Sequence, residues 1–357
     1  MKKLSLSNTH EALNAKMVDY AGFYMPVQYE GVIAEHLSVR NNVGVFDVSH
    51  MGEIFISGLQ AKDFLQFITS NDIDKLINGK VQYSCLPNLD GGIVDDILVY
   101  MINDNLFMLV VNASNIDKDL AWLNKHNLYD CKINNRSDDY SLLAVQGPKS
   151  LELLSELSEL DLSSLNYYTF LQGKISGINN VIISRTGYTG ELGFELYVLN
   201  EQVLTLWNSL FNTTIGLKPI GLAARNTLRL EKGFCLYGND IEENTSPLEA
   251  GLGWITKLST NFINSKNLIN QKNDGLKTKL IGFEILGKGI ARKGYPIFDK
   301  NKNKIGVVTS GTMSPSLNKA IGMAYIDIAF TKFNQEFMIQ VRNKFILAKV
   351  AELPFVK

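Results

Sequence analysis

"NSKNLINQKNDGLKTK", residues 264–279, is the stretch on which the reading of the fold turns. It is polar and reads as a linker, and the hydrophobic pattern differs on its two sides. Beyond it come "KLIGFEIL" (279–286), "GYPIFD" (294–299), "KIGVVTSG" (304–311), "KAIGMAYIDI" (319–328), "EFMIQVRN" (336–343) and "KFILAKVAELPF" (344–355). These are short apolar runs divided by Gly, Asn and Lys turns, the spacing of a small all-β barrel or sandwich. A segment of roughly 80 residues encloses only a modest core, so it is expected to dock on the rest of the chain.

Ahead of the linker, helical and strand patterns mix. "VIAEHLSVRNNVGVFD" (32–47) starts with helical spacing at Val32, Ile33, His36 and Leu37 and breaks at Gly44. "VFDVSHMGEIFISG" (45–58) alternates as a strand, and "AKDFLQFITSND" (61–72) returns to helix. "NLFMLVVNAS" (105–114) and "YSLLAVQGP" (140–148) read as strands, and "IDKDLAWLNKHN" (116–127) as a helix. "EQVLTLWNSLFN" (201–212) carries Val203, Leu204, Trp207, Leu210 and Phe211 on one helical stripe.

Composition sets outer limits. The 357 residues suffice for two or three domains, and 45% hydrophobic with 20% charged residues is an ordinary globular balance. Thirty-five basic against 36 acidic residues leave no global bias toward nucleic acid or membrane. Cys85, Cys131 and Cys235 are too few and too scattered for a disulfide framework or a thiolate metal site. The opening "MKKLSLSNTHEAL" lacks the apolar core of a signal peptide, and no apolar run reaches the about 18 residues a membrane span needs. A cytoplasmic protein is expected.

The chemistry is concentrated in three places. "NLDGGIVDDILVYM" (88–101) sets Asp95 and Asp96 in an otherwise apolar strand. Charge buried there costs several kcal/mol unless paired or hydrogen-bonded. Alternation puts Asp95 with Ile97 and Val99, and Asp96 with Leu98 and Tyr100, so the pair cannot act as one dyad. One faces the interior, the other is solvated or caps a turn, or else both belong to a turn after Gly91-Gly92. "SRTGYTGELGFELYV" (184–198) has three glycines that free the backbone to approach a ligand, then Glu195 on a strand where its carboxylate needs a donor. In "GLAARNTLRLEKGFCLYGNDIEENTSPLEAGLGW" (221–254), Arg225, Arg229 and Glu231 stack on a helix and, taken alone, form an intrahelical ion-pair ladder, while Trp254 packs into a core. No dinucleotide or phosphate-loop glycine signature, nucleophile elbow or metal-spaced histidine pair is present. The residues by themselves indicate a ligand site with at least one buried carboxylate, and no metal.

Taken together, the motifs resemble the T-protein (aminomethyltransferase) family of the glycine cleavage system. The resemblance runs along the whole chain, through "KMVDYAGFYMPVQY" (16–29), "VGVFDVSHMGE" (43–53), "GGIVDDILVY" (91–100), "VVNASN" (110–115), "LLAVQGP" (142–148), "SRTGYTGELGFEL" (184–196), "GLAARNTLRLE" (221–231), "LYGNDIEENTSPLEAGLGW" (236–254), "IARKGYPIF" (290–298) and "TSGTMSPSL" (309–317). It implies an α+β protein with two interleaved α/β lobes and a C-terminal all-β barrel, three domains around a central folate cavity. The folate-binding module would span 1–275, with lobes of roughly 1–50 plus 140–245 and 51–139 plus 246–275, and the barrel 276–357.

The resemblance also implies the reaction: an aminomethyl group on the dihydrolipoyl arm of the lipoylated H-protein is attacked by tetrahydrofolate, giving 5,10-methylenetetrahydrofolate, ammonia and the reduced arm. By the same resemblance Asp96 is catalytic and lies near the reacting folate nitrogens. Glu195 binds the pterin edge and Arg225 contacts the folate. Met51, Tyr83, Tyr100, Asn112, Tyr188 and Trp254 line the cavity, and Arg292 and Lys293 stand at its mouth toward the H-protein. Two departures stand out: Asn226 replaces an acid common in relatives, and the chain ends at "ELPFVK", short of a tail that reaches the ligand in several of them. The competing expectations are another folate-dependent one-carbon transferase or demethylase, and a folate-binding iron–sulfur assembly factor. The latter resembles K-G-C-Y-x-G-Q-E where this chain reads "KGFCLYGND" (232–240).

Overall fold

The computed structural model describes all residues, 1–357. Two compact units make up the chain, each assembled from separate segments: residues 1–65, 73–83 and 97–226, and residues 66–72, 84–96 and 227–357.

The first unit is organised by a six-stranded sheet in the order Phe170–Ile175, Ile178–Ser184, Gly193–Leu199, Tyr140–Gln146, Gly44–Asp47, Lys218–Pro219. Period-two alternation on Gly193–Leu199 sends Phe194, Leu196 and Val198 into the main apolar core, with Val45, Val145 and Ile183. The helix Val203–Phe211 covers that core. Its buried face is Val203, Leu206, Trp207 and Leu210, whereas Leu204, expected on the stripe, is 50% exposed. Each of the four buried side chains contributes roughly 1.5–3 kcal/mol of apolar transfer energy. A five-stranded sheet follows, in the order Val81–Pro87, Ile93–Asn103, Leu106–Val111, Gly52–Ser57, Lys132–Asn135; of its first two strands, residues 81–83 and 97–103 belong to this unit.

Two local expectations change here. "VFDVSHMGEIFISG" is not one strand: Gly44–Asp47 and Gly52–Ser57 join different sheets, with a turn closed by the Met51 amide donating to the Val48 carbonyl at 3.0 Å. On the helix Val32–Asn41 the buried residues are Glu35, His36 and Val39, while Ile33 is largely exposed. Glu35 can be buried because it is fully satisfied. Its carboxylate accepts from the amides of Tyr29 (2.7 Å), Gly31 (3.0 Å) and Gly221 (2.7 Å).

The second unit holds the barrel, a closed ring of Thr278–Ile285, Lys319–Asp327, Lys304–Ser314, Pro296–Phe298, Glu336–Val341 and Lys344–Ala351. Closure removes the unpaired edges that short strands would otherwise expose. Phe283, Ile297, Ala324, Phe337, Ile339 and Ala348 fill its interior. The segment read as a linker is instead the helix Ser265–Asp274, stopped by Gly275 in the left-handed region (φ 86°). Its polar sequence hid it: Leu268 is the one apolar residue it buries. At the chain end, the amides of Phe355 and Val356 donate to the Glu231 carbonyl (2.8 and 3.1 Å) and cap the helix Leu222–Glu231. No helix is long and apolar enough to cross a membrane.

Candidate active site

In the first unit, Glu195 is built from strand register. On Gly193–Leu199 its neighbours Phe194 and Leu196 face the core, so Glu195 and Tyr197 face the other way. Glu195 pairs with Ala144 on one side and Ser184 on the other. Thr186, two residues beyond Ser184, donates its hydroxyl to Glu195 Oε2 and also approaches Ser184 Oγ at 2.9 Å. Tyr100, on the strand Ile93–Asn103, completes a hydroxyl chain behind the carboxylate, with its oxygen 3.1 Å from Ser184 Oγ and 2.9 Å from the Tyr197 hydroxyl. Burial pushes the Glu195 carboxyl above its ordinary range, opposed by the Thr186 hydroxyl and the Arg225 charge. Oε1 takes no hydrogen bond from the protein.

Arg225 lies over the Tyr188 ring, its guanidinium carbon 4.3 Å from the centroid. It forms no ion pair, so its fork of donors is held in place without being used. The contact with Tyr188 braces the guanidinium. His50 stands near the same charge. It is buried edge-on to Tyr20 (centroids 5.5 Å apart), and burial together with Arg225 pushes its imidazole down to about 3, against an opposing pull from Asp47. A neutral imidazole adds no competing positive charge. Asp47 in turn is held by His10 Nε2 at 2.8 Å and the Ser49 hydroxyl at 2.5 Å.

The glycines of "SRTGYTGELGF" have a use other than ligand approach. A Cβ on Gly187 or Gly193 would fall 2.1 or 2.4 Å from the side-chain amide of Gln146. That amide takes the space, donating to the Thr186 carbonyl at 3.2 Å and accepting from Thr189 at 3.0 Å. The glycines thus let a buried glutamine hold the turn that presents Thr186.

In the second unit the aspartates obey alternation: Asp95 is fully buried and Asp96 half-buried. Both lie within the strand Ile93–Asn103, which disposes of the turn reading. The field of Asp96 reaches two thiols, Cys85 and Cys235, each pushed well up by burial first and by Asp96 among the lesser causes. Both cysteines are free, and neither is a nucleophile in that state.

The expected ladder of Arg225, Arg229 and Glu231 does not form. Arg229, 1% exposed, pairs with Asp240 at 2.6 Å, and Glu231 accepts from Ser314 Oγ (2.5 Å) and Ser316 Oγ (2.8 Å). Trp254 is not a core residue either. In the turn Leu252–Ile255 it is the flanking Leu252 and Ile255 that are buried, and the indole is 60% exposed. Arg292 and Lys293 are exposed and donate to backbone, Arg292 to the Gly311 carbonyl at 2.5 Å and Lys293 to that of Gly238.

The structure therefore gathers Glu195, Arg225, Tyr188 and Tyr100 into one polar cluster, with Tyr100 behind the carboxylate rather than on open surface. Met51, Tyr83 and Asn112 are partly buried residues of the first unit. Asp96 belongs to a second cluster, with Cys85 and Cys235. Ser184, Thr186, Tyr197 and His50 escaped the sequence reading, although Tyr197 carries a signal, a hydroxyl residue two positions from a strand carboxylate.

Comparison with known proteins agrees along the full length. Residues 6–260 match the model of the GCVT N-terminal domain, and residues 278–357 that of the glycine cleavage T-protein C-terminal barrel domain. A protein of Flavobacterium psychrophilum called aminomethyltransferase is 55% identical, with each chain covered in full. One of the same name from Halothermothrix orenii is 48% identical over the same extent. The crystal structure of glycine cleavage system aminomethyltransferase T from Bartonella henselae superposes with a TM-score of 0.94 at 34% identity, covering 99% of this chain and 98% of that one.

Proposed function

Since the chain belongs to the glycine cleavage T-protein family and is an aminomethyltransferase of that system, we propose that its acceptor is tetrahydrofolate and its donor the aminomethyl group on the dihydrolipoyl arm of an H-protein. N5 of the folate attacks the methylene carbon and N10 closes onto it, so two new C–N bonds replace the C–N bond to the departing ammonia and the C–S bond to the reduced arm, and 5,10-methylenetetrahydrofolate forms. The folate-binding module is assigned to 1–275, in the two lobes described, and the barrel to 276–357. Three free cysteines fit a reducing compartment, here the cytoplasm.

One observation carries the folate reading: Glu195 keeps one oxygen free beside an unpaired, stacked Arg225. A pterin edge offers two parallel donors, N3–H and the 2-amino group, that suit such a carboxylate. Arg225 takes a carbonyl or carboxylate of the same ligand. Tyr188 holds the guanidinium in place, and Tyr100 fixes the hydroxyl chain behind Glu195. Met51, Tyr83, Asn112 and Trp254 are assigned to contacts with the ligand, Arg292 and Lys293 to the H-protein. Attack by N5 leaves positive charge on nitrogen, and a fixed carboxylate at Asp96 stabilises it.

Calorimetric titration with tetrahydrofolate tests the acceptor: binding by the wild type and weaker binding by Glu195→Gln are expected. Formation of methylenetetrahydrofolate from aminomethyl-loaded H-protein tests the donor. Turnover of free aminomethyl compounds at an equal rate would remove the H-protein from the scheme.

A further inference from the structure

We propose that Tyr237 is a positioning residue for Asp96, acting through a backbone strap, residues 236–243, locked by the buried Arg229–Asp240 pair. The proposal rests on the assignment of Asp96 to the reaction.

The strand bearing Asp96 is gripped at its first residue. Ile93 donates its amide to the Glu242 carbonyl at 3.3 Å, and its own carbonyl accepts the Tyr237 hydroxyl at 3.0 Å. Both backbone groups of Ile93 are thus taken by the strap. Just upstream, Asn88 donates its side-chain amide to the Glu243 carbonyl at 2.9 Å, while its oxygen accepts from the Gly92 amide at 2.8 Å. Gly92 is the point of closest approach, where a Cβ would lie 1.7 Å from the Glu243 oxygen. That explains the second glycine of "GGIVDD" as a demand of packing.

The strap has its own anchor. Asp240 Oδ2 accepts from Arg229 (2.6 Å) and from the Leu236 amide (3.0 Å), and Oδ1 from Thr309 (2.6 Å). The Asp240 carbonyl takes the Tyr325 hydroxyl at 2.8 Å. Arg229 also bonds the Phe234 carbonyl and Ser310, each at 2.9 Å. Helix, strap and two barrel strands are pinned at one buried charge pair. Cys235, next to the strap, is within the field of Asp96.

Asp96 lies three residues beyond Ile93, about 10 Å along a strand. A strand passes on a displacement at its start because its hydrogen bonds resist shear. A shift on the order of 1 Å at a reacting group costs up to 10²-fold in rate. The ordinary alternative is that Tyr237 merely satisfies a carbonyl and adds stability.

The test uses the full chain with aminomethyl-loaded H-protein and tetrahydrofolate. Tyr237→Phe should lower kcat about tenfold, with folate affinity within about twofold of wild type, since the interaction lost matters only to the reacting state. In an Asp96→Asn background the same change should cost less than about twofold, because two residues acting as a unit are not additive. Gly92→Ala, which pushes the strap off from the other side, should reproduce the kcat loss even if Tyr237→Phe proves unstable. Wild-type kcat in both Tyr237→Phe and Gly92→Ala, with Asp96→Asn impaired, overturns the proposal, as do losses that multiply fully with Asp96→Asn. Unimpaired Asp96→Asn instead removes the Asp96 assignment, so the two failures are distinguishable.

Discussion

Asp240 and Glu195, one in each unit, are carboxylates withdrawn from solvent in opposite ways. Asp240 is saturated by a guanidinium, a hydroxyl and a backbone amide. Glu195 holds one hydroxyl, and the guanidinium nearest it in charge lies stacked on an aromatic ring instead of bonded to it. A buried charge without compensation is costly, so the first arrangement is a closed lock and the second is an opening that ligand donors complete. Glu35 confirms the rule inside the first unit, because three backbone amides make it structural. Among these three carboxylates the number of donors, and not burial, separates scaffold from site.

The contrast can be broken most directly at the two arginines of one helix. Arg229→Leu leaves Asp240 buried and unpaired and should cost about 3–5 kcal/mol in urea unfolding. Arg225→Leu should cost less than about 1 kcal/mol and be felt in folate binding instead, as the Tyr188 contact and an unbonded charge near Glu195 are all that is lost. Equal losses would show that both pairs serve the scaffold.

The neighbouring aspartates give the next contrast. Asp96→Asn should lower turnover by about 10²–10³ with little change in folate affinity, read by steady-state kinetics and calorimetry. Asp95→Asn, at a fully buried position, should register mainly as a lower melting temperature. Removing charge from the open carboxylate comes third. Glu195→Gln should weaken folate binding by about 1–3 kcal/mol while leaving the unfolding midpoint nearly in place.

Two buried groups of the first unit sharpen the comparison through pH. Glu53 has both carboxylate oxygens without donors, and burial holds its carboxyl well above the ordinary range. A raised carboxyl binds its proton more tightly in the folded state. Its stability contribution is therefore present below the unfolded pKa and lost as pH rises toward the folded one. His50, pushed down to about 3, works in the other direction: its contribution is present above the unfolded value of 6.5 and lost as pH falls toward 3. Glu53→Gln should flatten the alkaline side and His50→Gln the acid side of the stability profile, each by at most about 1.4 kcal/mol per pH unit. Unchanged slopes would mean that neither group changes its proton occupancy on unfolding.

The smallest effect is expected at the surface. Charge reversal at Arg292 and Lys293 should raise the KM for H-protein by an amount worth less than about 1 kcal/mol, shrinking as salt is added. Loss of folate binding without salt dependence would move both residues from the partner's surface to the ligand.

Much of this protein was legible in one dimension. Alternation on "VDDILVY" put Asp95 and Asp96 on opposite faces, because a strand leaves a side chain only two directions, but it left open which of them is buried. The short apolar runs beyond the stretch 264–279 indicated a barrel or sandwich, since turns and period two are local properties. Ten motifs in order pointed to the family. Local pattern failed where the decisive partner is remote in sequence. Ser265–Asp274 is a helix with one buried leucine, too weakly amphipathic to read. Arg225 and Arg229 are four residues apart on one helix, yet one meets Tyr188 and the other Asp240 and Ser310. Spacing could not separate them, since their roles are set by which donors and acceptors the folded chain brings within about 3 Å. The sequence by itself determined which residues could carry charge into the interior and that neighbours along a strand take opposite faces. Only the tertiary structure decided which of those charges were neutralised from within and which were left to a ligand, because compensation of a buried charge is a matter of distance between remote segments.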